Sequence, residues 1–247
     1  MEEFEVSTGI RKEPFTCLLY GPPKSGKSFL ANTAPSPLFL DAEKGTGQLD
    51  TSRVPISDGF ALFRAIEWAS KQPNETIVID SLTAIQKMLV LKVCKENGQK
   101  NIEGFGFGKG YQILKAEWAR LGNGVTFLKE RNKNVILIAH SLVKPFADPM
   151  SETYDRYELD VDKNSVTTMT SLVDAIFFLR PRTMVRTTED EKRKIAVGSG
   201  RELHTAESPA FTAGNRFSLK PIYIDPGADV WADIIDSSTA RKASHVP

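Results

Sequence analysis

The chain has 247 residues, of which 40% are hydrophobic and 26% charged, and 32 Lys and Arg against 31 Asp and Glu give a net charge of +1. This balance is typical of a globular domain with a sizeable core, and it excludes a wholly disordered chain and a uniformly basic nucleic-acid coat. No apolar run approaches the roughly 18 residues of a membrane-spanning helix, and segment 1–14 lacks the apolar stretch of a secretory signal. We therefore expect a cytoplasmic protein without a membrane partner, in which Cys17 and Cys94 are buried thiols.

Short apolar runs alternate with helical patterns along the chain, which is typical of an α/β fold with a mainly parallel sheet covered by helices. The predicted strands are rich in Val, Ile, Leu or Phe throughout, as strands buried on both faces are. They are 15–20, 37–41, 76–80, 134–140 and 174–179. Later runs are short and broken by turns, and they predict hairpins that extend the sheet. We expect an N-terminal segment 1–14, one domain over 15–235 and a flexible tail 236–247.

Segment 21–28 carries the phosphate-loop pattern G-x-x-x-x-G-K-[ST] at every fixed position. It follows an apolar strand and opens a helical segment, the context in which backbone N–H groups can surround phosphate oxygens. Lys27 is expected to reach the β- and γ-phosphates and Ser28 to bind Mg²⁺. The predicted nucleotide contacts are Gly21, Pro22, Pro23, Lys24, Ser25, Gly26, Lys27, Ser28 and Phe29. The alternative is a glycine-rich turn with an incidental lysine.

Carboxylates end two other predicted strands. Asp80 closes strand 76–80 and is expected to hold Mg²⁺, directly or through water. Ser81 follows it where AAA+ machines usually place their catalytic glutamate, so the catalytic carboxylate must come from elsewhere. Asp41 and Glu43 end strand 37–41, and if this strand neighbours the phosphate-loop strand, Glu43 is in place to orient the attacking water. The alternative is that both carboxylates only cap the strand end.

His140 ends the predicted strand 134–140. Ligands gather at the carboxyl ends of parallel strands in open α/β sheets, so this position favours a sensor of the γ-phosphate. The alternative is a histidine with a structural role only.

These strand ends resemble, in this order, those of the RecA-type ATPase core. "LFLDAE" (38–43) resembles the segment with the catalytic glutamate, "TIVIDS" (76–81) the Mg²⁺ strand, and "ILIAHS" (136–141) the strand that senses the γ-phosphate. More narrowly, 16–231 resembles a phage family of compact RecA-like ATPases, the Sak-type single-strand annealing proteins and their nucleotide-binding relatives. The resemblance rests also on 139–161 and on "RELHTAESPAFTAGNRFSL" (201–219).

The resemblance implies a RecA-like P-loop core, ATP and Mg²⁺ as cofactors, and an Mg²⁺-dependent ATPase. It also implies a homo-oligomeric ring or filament, single-stranded DNA as a partner, and a phage or host single-strand binding protein as a further one. The protein is then encoded by a phage or prophage and acts in the cytoplasm of the bacterial host. Expected activities are annealing or strand pairing.

By the same resemblance, 96–110 and 141–165 fall where RecA has its two DNA-binding loops. Phe105, Phe107 and Lys109 lie in a glycine-rich frame suited to base stacking and phosphate contact, although a lid that only closes over nucleotide is an equal alternative. Segment 141–165 has three basic residues against six acidic ones, which makes it a poor partner for phosphates. Stretch 180–201 has seven basic residues against three acidic ones, so DNA is expected there, unless this stretch is simply a solvated face.

Segment 214–217, Gly-Asn-Arg-Phe, resembles the Lys-Asn-Arg-Phe motif of RadA-like proteins, whose basic residues act on nucleotide across a subunit interface. The resemblance implies that Arg216 is an arginine finger in trans, while Gly214 replaces the usual lysine. The alternative is a surface arginine.

Three other functions fit the same sequence. One is a regulatory or packaging NTPase that never binds DNA. Another is a small-molecule kinase, with Arg180, Arg182 and Arg186 as a lid cluster. The last is a scaffold that holds nucleotide without cleaving it.

Overall fold

The computed structural model describes residues 6, 8, 9, 12–187, 194–224 and 229–240. Their helices and strands follow one another as β1 (Thr16–Gly21), α1 (Lys27–Asn32), β2 (Pro37–Asp41), β3 (Ser52–Pro55), α2 (Gly59–Ala69), β4 (Thr76–Asp80), α3 (Leu82–Glu96), α4 (Lys109–Glu130), β5 (Asn134–Phe146), β6 (Tyr154–Leu159), α5 (Lys163–Leu172), β7 (Ala175–Thr187), β8 (Lys194–His204), β9 (Gly214–Asn215), β10 (Ile222–Tyr223) and α6 (Val230–Ala240). None of these helices is long and apolar enough to span a membrane.

The described strands form one sheet in the order β10-β8-β7-β1-β5-β4-β2-β3, with β6 paired to β5 and β9 to β7. Strands β7, β1, β5, β4, β2 and β3 are parallel to one another, and β8, β10, β9 and β6 pair antiparallel with their neighbours. The mixed α/β fold with a mainly parallel sheet, a P-loop core and later antiparallel hairpins is therefore confirmed.

The sheet register brings the predicted site residues to one edge. Gly21 pairs with His140 across β1 and β5, and Asp41 pairs with Asp80 across β2 and β4. The condition set for the Glu43 role, that β2 neighbours the phosphate-loop strand, is not met, because β5 and β4 lie between β1 and β2. Glu43 must therefore reach the nucleotide site across the end of β4.

Both faces of the sheet are covered by packed side chains. On one face the buried residues of α2, α3 and α4 pack with those of β1, β4 and β5, around the fully buried Trp118. On the other face Trp231 of α6 stacks on Phe15, with 5.6 Å between the ring centroids, and donates a hydrogen bond to the carbonyl of Leu30 at 3.1 Å. This second contact fixes α1, the helix that follows the phosphate loop. Cys17 and Cys94 are buried free thiols, as predicted.

Two segments predicted as long loops contain regular structure. Segment 96–110 includes a 3₁₀ turn at Ile102–Phe105 and the start of α4. Segment 141–165 consists mainly of a hairpin, because β5 continues to Phe146 and pairs with β6. The sequence did not predict this hairpin, because one of its faces lies away from the core and carries polar and charged residues instead of an apolar run.

Gly122 and Gly124 do not interrupt α4, which runs through both residues. A Cβ atom at Gly124 would lie 3.3 Å from the Cδ1 atom of Ile66 on α2, so the glycine allows close packing of two helices. At the other end of the chain, α6 continues to Ala240, into the predicted tail 236–247, and residues 241–247 lie outside the described residues.

Candidate nucleotide site

The phosphate loop connects β1 to α1, and glycine is required at both of its ends. A Cβ atom at Gly21 would lie 1.9 Å from the carbonyl oxygen of Leu179 on β7, so no side chain fits between the two strands. Gly26 has a φ of 96°, a left-handed conformation that only glycine adopts at little cost. The sequence from 21 to 28 thus folds as a phosphate loop because its glycines stand at the two positions where a side chain is excluded.

The Lys27 ammonium is folded back onto the loop, where it donates to the carbonyl oxygens of Gly21 at 3.1 Å and Pro22 at 2.8 Å. The residue is 5% exposed. Burial lowers the pKa of Lys27 to about 8, against the opposing effect of the Asp80 and Glu43 carboxylates. Phosphate oxygens are strong acceptors for this charge, so binding of an anionic ligand stabilises the ammonium form.

Ser28 and Asp80 are brought together from α1 and β4. The Ser28 hydroxyl donates to Oδ2 of Asp80 at 2.6 Å. Burial raises the pKa of Asp80 to about 6, and the nearby Glu43 and Asp41 carboxylates raise it further, opposed by the Ser28 hydrogen bond. A hydroxyl and a buried carboxylate in contact are hard oxygen donors, which Mg²⁺ prefers. The residues present therefore fit an Mg²⁺ ion, which would relieve the cost of burying the carboxylate.

The carboxylates after β2 have separate roles. Asp41 accepts hydrogen bonds from the backbone N–H groups of Gly45 at 3.3 Å and Thr46 at 3.2 Å, and from the Thr46 hydroxyl at 2.5 Å. It therefore fixes the turn that follows β2. For Asp41, these contacts agree with the alternative in which the carboxylate only caps the strand end. Glu43 makes none of these bonds and instead faces the ends of β4 and β5.

Glu43 lies in contact with groups from two other strand ends. Its Oε1 is 2.8 Å from Nε2 of His140, and it accepts a hydrogen bond from the Ser81 hydroxyl. The hydrogen bond from His140 lowers the pKa of Glu43, an effect that burial opposes and the Ser81 hydrogen bond reinforces. The carboxylate therefore stays ionised at neutral pH, and it can accept a hydrogen bond from a water molecule.

His140 lies between the phosphate loop and Asp80, because β5 is inserted between β1 and β4. Its backbone N–H donates to the Thr83 hydroxyl at 3.0 Å, which fixes the strand end against α3. Its ring Nδ1 is buried and has no hydrogen-bond partner among the described residues. The Nε2–H bond to Glu43 is thus the polar contact that holds this ring.

Arg216 lies at the opposite edge of the sheet from the phosphate loop. Its Nη1 is 3.2 Å from Oδ1 of Asp174, a residue that precedes β7 and accepts from the Thr16 N–H at the start of β1. The Arg216 side chain is 69% exposed. It therefore lies away from the phosphate loop of the same chain.

The predicted DNA contacts differ in exposure. Phe107 is fully exposed, whereas Phe105 is half-buried and its ring would lie 2.8 Å from a Cβ atom at Gly110. Lys109 begins α4 and is exposed. In the basic stretch 180–201, Arg180 forms an ion pair with Glu202, while residues 188–193 lie outside the described part of the chain.

The kinase alternative loses part of its basis. Arg180 and Arg182 both approach Glu202, at 3.0 Å and 3.7 Å, so their charge is already engaged. The Arg186 side chain lies outside the described residues.

Sequence reasoning missed two residues of this site. Ser81 is the second donor to Glu43, and Arg201 of β8 lies against Gly26. Ser81 follows Asp80 directly, so its place in the chain is the signal that could have identified it. No motif marks Arg201, because its contact depends on the pairing of β8 with β7.

Comparison with known proteins then decides the family. Residues 13–217 match the AAA_24 family, described as an AAA domain. The chain belongs to this family. No protein with a curated description matches significantly. Among the solved structures that match is a KaiC-like protein from the hyperthermophilic archaeon Pyrococcus horikoshii OT3, with 15% identity, 87% of each chain covered and a TM-score of 0.44. Membership of the AAA_24 family, with its phosphate loop, makes this chain a nucleotide-binding protein of the AAA type.

Proposed function

We propose that this AAA_24 protein is an Mg²⁺-dependent ATPase of the RecA-like class that acts on single-stranded DNA in phage recombination, by annealing or strand pairing. One observation carries the ATPase part. Lys27, the Ser28–Asp80 pair and the Glu43–His140 pair converge at one edge of the sheet. These are the groups that phosphoryl transfer to water needs: a phosphate cradle, a metal site and an acceptor for the water.

Each group has a separate task in the proposed reaction. The loop amides and the Lys27 ammonium bind the phosphates, and Ser28 and Asp80 would hold Mg²⁺, which neutralises charge on the phosphates when bound. Glu43 accepts a hydrogen bond from the attacking water and so directs its oxygen at the γ-phosphorus. His140 holds the Glu43 carboxylate and lies where it can detect the γ-phosphate. The bond to the bridging oxygen breaks, giving ADP and phosphate.

Equilibrium binding of a fluorescent ATP analogue tests the nucleotide part. Wild-type protein is expected to bind it in the presence of Mg²⁺, and Lys27→Ala to bind at least tenfold more weakly, because a charged contact to phosphate is lost. Lys71→Ala is the control, since Lys71 is an exposed lysine just after α2 that pairs with Glu67. Equal binding by all three proteins would refute the site.

The turn around Phe107 supports the DNA part of the proposal. Gly106, Phe107 and Gly108 have φ angles of 66°, 45° and 69°. Positive φ is uncommon for a residue with a side chain, and such strain is a reason to suspect function. Here it holds an aromatic ring in solvent, next to the exposed Lys109, as base stacking with a phosphate contact requires.

Fluorescence anisotropy with a labelled single-stranded oligonucleotide tests this surface. Phe107→Ala is expected to weaken binding by about fivefold or more, because stacking contributes about 1–3 kcal/mol per base. Trp68→Ala is the matched control, since Trp68 is a partly exposed aromatic residue on α2. The regulatory or packaging NTPase becomes the better proposal if the wild-type protein binds no oligonucleotide while ATP binding is intact.

The assembly part of the proposal is a homo-oligomeric ring or filament in which Arg216 reaches the nucleotide of a neighbouring subunit. It is supported by the position of Arg216, which is exposed and remote from the phosphate loop of its own subunit. Mixing two inactive variants tests it. Lys27→Ala and Arg216→Ala proteins, each expected to be inactive alone, should regain ATP hydrolysis when they are combined. A mixture without activity would argue against action in trans.

A further inference from the structure

The guanidinium of Arg201 lies flat against the phosphate loop. A Cβ atom built on Gly26 would be 2.6 Å from Cζ of Arg201, 2.7 Å from Nη1 and 2.9 Å from Nε. Three atoms of the planar group are therefore at nearly equal distance from the same backbone position. Gly26 immediately precedes Lys27, so Arg201 of β8 contacts the loop at the residue next to the phosphate-binding lysine.

The pairing of β8 with β7 places Arg201 there. Arg201 lies opposite Pro181, and Arg180 lies opposite Glu202. Successive side chains of a strand point to opposite faces, so Arg201 and Glu202 point away from each other. At the same end of β7, the carbonyl of Leu179 approaches Gly21 so closely that a side chain is excluded. The β7–β8 pair is thus packed directly against the loop.

The carboxylate that follows Arg201 in β8, Glu202, is engaged by other arginines. Glu202 accepts from Nε and Nη2 of Arg180, at 3.1 Å and 3.0 Å, and Arg182 lies 3.7 Å from its other oxygen. Within the part of the chain that the structure describes, no ion pair or hydrogen bond involves the Arg201 guanidinium. A half-buried guanidinium that lies against the phosphate loop, without a carboxylate partner among the described residues, is stabilised by binding an anion.

We propose that Arg201 binds the phosphate groups of the nucleoside triphosphate held by its own subunit. This inference rests on the proposed nucleotide site and adds a contact from β8 to it. A guanidinium can donate two parallel hydrogen bonds to phosphate oxygens, whereas a lysine provides a single point charge. Because Arg201 belongs to β8, nucleotide binding also fixes the β7–β8 hairpin, which carries the basic stretch 180–201, relative to the loop.

Binding of ATP and ADP to wild-type protein, Arg201→Ala, Arg201→Gln and Arg201→Lys tests the inference. The Ala and Gln variants are expected to bind ATP about tenfold more weakly or worse, and the Lys variant to lie between them and the wild type. Arg182→Ala is the matched control, because it removes an arginine from the same hairpin that approaches Glu202. It is expected to bind ATP within about twofold of the wild type.

Thermal unfolding separates a phosphate contact from a structural one. Without nucleotide, Arg201→Gln is expected to melt at the wild-type temperature or slightly above it, because an uncompensated charge is removed. With ATP, its stabilisation is expected to be smaller than that of the wild type. Unchanged ATP affinity in both Arg201→Ala and Arg201→Gln, with binding lost in Lys27→Ala, would overturn this inference and leave the nucleotide site standing. Absence of ATP binding by the wild-type protein would overturn both.

Discussion

Nε2 of His140 lies 2.8 Å from Oε1 of Glu43, although Glu43 follows β2 and His140 belongs to β5, two strands that are not neighbours in the sheet. Strand β4 separates β5 from β2, and Ser81, just beyond the end of β4, donates to the same Glu43 carboxylate. Groups from three strands therefore meet at one ionised carboxylate. This arrangement holds Glu43 close enough to Asp80 and Lys27 for its charge to raise the pKa of both.

Substitution of Glu43 is expected to separate hydrolysis from binding. Glu43→Gln removes the charged acceptor for water but keeps the size of the side chain, so we expect ATP turnover to fall at least about 100-fold while the ATP affinity changes by less than about threefold. Steady-state phosphate release and equilibrium binding measure the two effects. Glu67→Gln, a change to an exposed glutamate on α2, serves as the control. Turnover retained by Glu43→Gln would favour the scaffold alternative or another catalytic group.

His140 is expected to act through Glu43. His140→Ala removes the hydrogen bond that contributes most to lowering the Glu43 pKa, so the acid limb of the pH–rate profile should move to higher pH. Because the two residues form a unit, Glu43→Gln combined with His140→Ala should lose little more activity than Glu43→Gln alone. A double variant whose losses simply multiply would show that His140 acts independently of Glu43.

The ionised Asp80 carboxylate is expected to lower the free energy of unfolding of the nucleotide-free protein. Its pKa in the folded state is raised from 3.8 to about 6, so the folded protein favours the protonated form. The stabilisation from this preference is complete below about pH 4 and is lost as the pH rises through 6. At pH 7.5, Asp80→Asn should therefore increase the free energy of unfolding by at most about 3 kcal/mol.

Urea unfolding of the nucleotide-free protein at pH 7.5 and pH 4 measures this effect of Asp80→Asn. The gain in the free energy of unfolding should be present at pH 7.5 and absent at pH 4. At pH 4 the folded wild-type protein carries a protonated Asp80, which is uncharged like the asparagine of the variant. The variant should also lose the dependence of ATP binding on Mg²⁺. Lower stability than the wild type at pH 7.5 would contradict the assignment of a buried, uncompensated carboxylate.

The phosphate-binding lysine predicts a pH dependence of nucleotide affinity. Burial lowers the pKa of Lys27 to about 8 in the empty site, and phosphate binds the ammonium form. The ATP affinity should therefore fall as the pH rises from 7.5 to 9.5, approaching a tenfold loss per pH unit well above the pKa. Lys27→Met should bind ATP weakly with no such slope. A flat wild-type profile over this range would show that the lysine does not titrate there.

The sequence predicted the parallel core strands and the loop at 21–28 because both depend on local features, apolar runs and fixed glycine spacing. It also placed Asp80 at a strand end and His140 where the parallel part of β5 ends. It did not predict that Lys92 is buried, since its charge is compensated by Glu96 on the same helix and by the tertiary contact with Glu117, each at 2.8 Å. Nor could it separate Asp41 from Glu43, because their roles are decided by which loop and strand ends lie nearby.

The rate of ATP hydrolysis with Mg²⁺, in the presence and absence of a single-stranded oligonucleotide, tests the central claim most directly, with Lys27→Ala as the blank. The proposed function predicts hydrolysis that the oligonucleotide stimulates several-fold and that Lys27→Ala abolishes. Hydrolysis abolished by Lys27→Ala but indifferent to DNA would contradict the recombination role and favour a regulatory ATPase. Hydrolysis equal in wild-type protein and Lys27→Ala would contradict the catalytic site itself.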